Sequence, residues 1–118
     1  MNNEMPRLNL KELPDVLVKT PKQKNYDLLM ELYEAGGWSW ENGYLPTAYM
    51  LLVGPTTVME AKDHFREGDS IEDKSERRRI TIDEFCEMEE IDQLKRQEVI
   101  RWFKYNKPNR RSVGLSLI

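Results

Sequence analysis

A chain of 118 residues and 14.0 kDa is enough polypeptide for one domain with a core and too little for a second. Its 39% hydrophobic and 33% charged residues, with a net charge of -3, describe a heavily solvated protein without the basic excess of a general nucleic-acid binder. One cysteine, Cys86, and one histidine, His64, exclude an internal disulfide and any multi-cysteine zinc site.

Residues 1–14 read as a loose lead-in, and the start, MNNEMPRLNL, has no signal-peptide character. After Pro14, the run Asp15-Val16-Leu17-Val18-Lys19 has the size of one buried strand. Thr20 and Gln23 spell a capping box around Pro21, and Tyr26, Leu29, Met30 and Tyr33 recur at i, i+3, i+4 and i+7. The spacing predicts a helix from Pro21 to Ala35, stopped by Gly36-Gly37. Trp38-Ser39-Trp40 then alternates as a strand does, and Asn42-Gly43 predicts a two-residue hairpin returning through Tyr44-Leu45-Pro46. That register puts Trp38, Trp40 and Leu45 on one face, where the tryptophans serve the core.

Tyr49 to Val53 reads as the central strand, ended by Gly54-Pro55. Thr56 to Met59 fits either a returning hairpin arm or the opening of a helix through Phe65; the thin stripe of Val58, Met59 and Phe65 favours the strand. From 62 to 79 nearly every second residue is charged, which predicts a long exposed loop. Arg79 to Ile82 reads as a strand, with Thr81 and Glu84 capping the helix that follows. Phe85 and Met88 lie on a different stripe from Val99, Trp102 and Phe103, so Asp83 to Tyr105 is two helices or one bent helix. Pro108 ends it. The tail, residues 109–118, is apolar toward its end, suited to adding a strand to its own sheet or to joining a second copy as a homo-oligomer. The predicted fold is α+β: a small, mostly antiparallel sheet packed by an N-terminal-half helix and one or two C-terminal helices.

Chemistry-bearing motifs are sparse. His64 with Glu60 and Asp63 lacks the second histidine or cysteine pair of a metal site, and Cys86 has no base but His64. Gly54-Pro55-Thr56-Thr57 lacks the glycine spacing and lysine of a phosphate loop. No catalytic residue, cofactor or metal is expected, no run approaches the roughly 20 apolar residues of a membrane span, and the cytoplasm is the expected location. Charge is more informative. Asp83, Glu84, Glu87, Glu89, Glu90 and Asp92 run without a base, and Lys95, Arg96, Arg101, Lys104, Lys107, Arg110 and Arg111 follow with Glu98 alone against them. One reading is a helix whose ends match its own macrodipole. The others are a protein-binding acidic face of Glu87, Glu89, Glu90 and Asp92, and nucleic-acid contact through Arg77, Arg78, Arg79, Lys107, Arg110 and Arg111.

Tyr26 to Tyr33, then Gly37-Trp38-x-Trp40-x-x-Gly43-x-x-Pro46, then Ile80-Thr81-Ile82-Asp83-Glu84-Phe85, together resemble a class of small uncharacterised bacteriophage and prophage proteins. In that class a helix leads into a G-[WY]-x-W-x-x-G-x-x-P hairpin and an I-x-x-x-E-F segment opens a late helix. The resemblance spans Val16 to Glu87 and implies a phage or prophage origin, hence the host cytoplasm, and a small α+β fold. Its motifs specify turns and core and carry over no site; the charged loop and the extended C-terminus depart from it. The expected function is non-enzymatic binding of a host or phage protein, in its most specific form as an acidic inhibitor of a nucleic-acid-handling or defence protein. The alternative is a nucleic-acid-associated protein using the basic C-terminal segment.

Overall fold

The computed structural model describes residues 4–48 and 51–107. Strand β1 (Val16–Lys19) is the middle of a three-stranded sheet, with β3 (Val58–Glu60) on one edge and β5 (Arg78–Ile80) on the other. β1 runs antiparallel to β3 and parallel to β5. A second, two-stranded sheet pairs β2 (Ser39–Trp40) in parallel with β4 (His64–Phe65). The fold is α+β, as predicted, but its three-stranded sheet is mixed and its two-stranded sheet parallel, rather than mostly antiparallel. None of these pairings is a two-residue hairpin, so nothing local forces antiparallel order.

Helix α1 (Gln23–Ala35) keeps its predicted stripe, with Tyr26, Leu29, Met30 and Tyr33 fully buried, but starts later than Thr20 suggested. The Thr20 hydroxyl and amide both donate to the Thr57 carbonyl, at 3.1 and 2.9 Å, prolonging the β1–β3 ladder instead of capping a helix. Asn25 Oδ1 accepts the Lys22 N–H in its place. Gln23, freed from capping, donates to the Leu51 carbonyl and accepts from the Val53 N–H. Here the central-strand expectation for Tyr49 to Val53 fails in its described part. The edge of β1 it needed is occupied by Val58–Glu60, and residues 51–53 are held instead by the Gln23 side chain at the start of α1, with Leu52 facing solvent. Tyr49 and Met50 lie outside the described residues.

The two-residue Asn42-Gly43 turn is replaced by one centred a residue earlier: the Gly43 N–H bonds to the Trp40 carbonyl at 2.8 Å, so Glu41 and Asn42 are the central pair and Gly43, at a φ of 91°, follows them, with the Trp40 N–H bonded to the Tyr44 carbonyl at 2.9 Å. That bond closes a wider loop than a two-residue hairpin. The expected second arm, Tyr44-Leu45-Pro46, is no strand; its last residue opens a 3-10 turn, Pro46–Ala48, which the Trp40 indole N–H ties down through the Pro46 carbonyl. Trp38 and Trp40 are buried and Leu45 is not. The true partner of β2 comes from the stretch expected to be loop: Ser39 N–H reaches the Asp63 carbonyl and Glu41 N–H the Phe65 carbonyl. Phe65 is fully buried, so the exposed-loop expectation for 62–79 fails at its start.

The remainder of that segment is organised by its own arginines. The Arg79 guanidinium donates to the carbonyls of Ser70, Asp73, Ser75 and Arg77, and Arg77 bridges Glu60 and Asp69 at 3.1 and 2.6 Å. Helices α2 (Ile82–Met88) and α3 (Gln93–Asn106) follow as two separate helices. The Thr81–Glu84 capping box is present in both directions, at 3.0 and 2.9 Å, and Asp92 caps α3. Thr81→Ala is expected to cost about 1 kcal/mol in a thermal melt; an unchanged melt would mean the box contributes nothing.

The lead-in is not loose from residue 4 onward. Leu8 N–H bonds to Ala35, Leu13 N–H to Ala61, and Lys11 N–H to the Glu89 carboxylate at 2.7 Å. Leu8 is buried and Met5, Leu10 and Leu13 pack on the same core that takes both sheets and all three helices. The strap crosses so close to the end of α1 that a β-carbon at Gly36 would collide with the Leu10 side chain.

Candidate binding cleft

Because β1 and β5 are parallel, both release their chains at the same end of the sheet, β1 toward α1 and β5 into α2. Ends of parallel strands are where open sheets leave crevices. Here the crevice is an open cleft of about 690 Å³ between α1, the start of α2 and α3. Leu28 of α1, Ile71 of the arginine-held loop, Ile82 of α2 and Ile100 of α3 give it apolar walls. The bases Lys19, Lys24 and Arg96 and the acids Asp27, Glu31 and Asp83 also line it, with Glu31 buried. The Arg96 side chain is 15% exposed and its Nη1 lies 3.0 Å from Asp83. Its Nε has no hydrogen-bond partner among the described residues. Burial pushes the neighbouring Cys86 thiol up, so it packs as a small protonated residue.

The acidic stretch is largely used within the protein. Asp83 pairs with Arg96, Glu84 accepts from Thr81, Asp92 caps α3 and Glu90 meets Lys11 Nζ at 3.3 Å. The backbone N–H of Thr81, with its hydroxyl, holds the Glu84 carboxyl below the usual range. Glu87 is exposed on α2. Glu89 is 5% exposed; one oxygen takes the Lys11 N–H, and Oε2 has no hydrogen-bond partner among the described residues.

Burial pushes the Glu89 pKa up, opposed by the Lys11 N–H. The folded protein therefore binds this proton more tightly than the unfolded chain. The ionised carboxylate costs stability above the folded pKa, and the cost vanishes as pH falls below the ordinary glutamate range. Glu89→Gln keeps an acceptor for Lys11 and should melt higher than the unaltered chain at pH 7, with the gap closing toward pH 4. A gap independent of pH would contradict this assignment.

Of the basic residues, Arg77 and Arg79 face inward to the contacts described, while Arg78 is exposed on β5. Lys107 Nζ lies 2.7 Å from the buried carboxylate of Glu34, which also accepts from the Thr47 amide and hydroxyl. Arg110, Arg111 and the apolar tail lie outside the described residues. Glu60 and His64 stand on different strands. Glu60 is buried against Arg66 and Arg77, and exposed His64 meets the Ser39 hydroxyl at 3.1 Å. Among the described residues no group of three or more histidine, cysteine or carboxylate side chains is placed to hold a metal, and no helix is long and apolar enough to cross a membrane.

No protein-family model matches the chain, and neither a curated protein nor a solved structure matches it. The cleft is thus known from its own geometry. One signal in the sequence pointed to it: Ile71 is an isolated apolar residue in an otherwise charged and polar stretch. Leu28 and Ile100 also sit beside, not on, the buried stripes of their helices.

Proposed function

We propose that this protein is a non-enzymatic, protein-binding accessory protein that acts by occupying a host or phage protein through the cleft between α1, α2 and α3. One observation carries the reading: an open cleft whose lining joins apolar side chains to three bases and three acids. Apolar walls with both signs of charge suit an amphipathic peptide segment, whose apolar face is buried while its polar edges meet the charged groups of the lining. A phosphate polymer would favour a lining of one sign. The resemblance of the Gly37 to Pro46 stretch supports a phage or prophage source, and with it the host cytoplasm. The exposed carboxylate of Glu87 gives limited support to the more specific reading as an acidic inhibitor, since Glu89, Glu90 and Asp92 have partners within the chain.

Affinity capture from host lysate, with nuclease-treated and untreated arms, tests this. A protein retained by the unaltered chain in both arms should be lost with Ile71→Asp and with Lys24→Glu and kept with Arg78→Glu. Retention that needs intact nucleic acid and fails with Arg78→Glu would replace this reading with the nucleic-acid-associated one.

A further inference from the structure

Helix α3 turns Val99 and Phe103 into the core and lends Arg96 and Ile100 to the cleft. On its opposite side Leu94, Glu98, Arg101 and Tyr105 recur at i, i+4, i+7 and i+11, which is one straight stripe about 16 Å long. All four are exposed, and Leu94 and Tyr105, at 68% and 72%, are the most exposed large apolar side chains among the described residues. A single exposed leucine needs no explanation. Two apolar residues at the ends of one stripe, with an acid and a base between them, form a pattern. Neither Glu98 nor Arg101 has an ion pair among the described residues.

The four positions are symmetric about the midpoint between Val99 and Ile100. Laid antiparallel on a second copy, the stripe brings Leu94 level with Tyr105 of the other helix and Glu98 level with Arg101, and each contact occurs twice. Laid parallel, it sets glutamate against glutamate and arginine against arginine, which repels. We propose that this chain forms a two-fold antiparallel dimer through the exposed stripe of α3. A single four-turn helix pair buries less than the roughly 1,600 Å² of a standard interface, so the dimer is weak and concentration-dependent. Arg96 and Ile100 project from the far side of α3, so both clefts stay open. The dimer is therefore independent of what the cleft binds.

Sedimentation equilibrium of the full chain over two decades of concentration reads this directly. The unaltered chain should pass from monomer to dimer. Glu98→Arg alone and Arg101→Glu alone each create two like-charge contacts and should raise the dissociation constant on the order of tenfold. When the two variants are mixed, one helix of the mixed dimer presents two bases and the other two acids, so both contacts again join opposite charges. Association of the mixture should return to within about twofold of the unaltered chain. Both positions are solvent-exposed, and an unchanged circular dichroism melt confirms folding. A chain that stays monomeric throughout, a mixture that stays monomeric, or single variants as dimeric as the original would each overturn the proposal; the last would place the contact on another surface, such as the tail.

Discussion

Phe65→Ala is expected to cost about 3–5 kcal/mol, close to the whole stability of a small domain. The ring is fully buried, with its centroid 4.6 Å from that of Tyr33 and 4.8 Å from that of Trp40. Tyr33 in turn meets Trp38 and Phe85. Removing Phe65 opens a cavity at the junction of both sheets and α1, and the aromatic neighbours are too rigid to collapse into it. Urea denaturation should show a lower midpoint with an unchanged slope. A loss under about 1 kcal/mol would mean that β4 is not docked as described.

Arg79→Lys is expected to be the second most damaging of these changes, at about 2–3 kcal/mol, although it keeps the charge. The two terminal nitrogens of Arg79 serve four carbonyls spread over Ser70 to Arg77, and a single ammonium cannot reach them together. Released, the segment from 69 to 78 should become the first site cut in limited proteolysis. The same change should weaken whatever the cleft binds, because Ile71 sits on that segment. Unchanged cleavage and binding in a folded Arg79→Lys protein would show that the Arg77 bridge to Asp69 and Glu60 suffices alone.

Features whose causes lie within about four residues were legible in the sequence. The buried stripe of α1, the Thr81–Glu84 box and the division of Asp83 to Tyr105 into two helices all formed, and a turn stands beside Gly43, one residue earlier than Asn42-Gly43 suggested. Strand pairing was not legible, because an apolar run announces burial without saying what lies beside it. Tyr49 to Val53 had the stronger apolar signal, but Val58–Glu60 holds the edge of β1, and the Thr20 side chain, placed in the sequence like a helix cap, extends that ladder. The arginines misled for a related reason. In a sequence Arg77 and Arg79 count as surface charge, whereas in the fold each is a set of donors that closes a loop. The cleft gathers residues from five segments, so apart from Ile71 it had no local trace.

β1 has its two neighbours far downstream: Leu17 sits opposite Glu60 and Arg79, 43 and 62 positions later in the chain. During synthesis Val16-Leu17-Val18 is therefore made with both hydrogen-bonding edges unmatched. At about 5–20 residues per second, roughly 3–12 s pass before the chain has reached Arg79. For that interval an apolar strand with two open edges is available to other chains, which is the form in which strands aggregate. The backbone hydrogen bonds of α1 and the two late helices need no such wait, since each closes within four residues. Closing the long loop to β5 is then the expected slow step: refolding from denaturant should be limited by it, with helical signal returning before protection of the β1 amides.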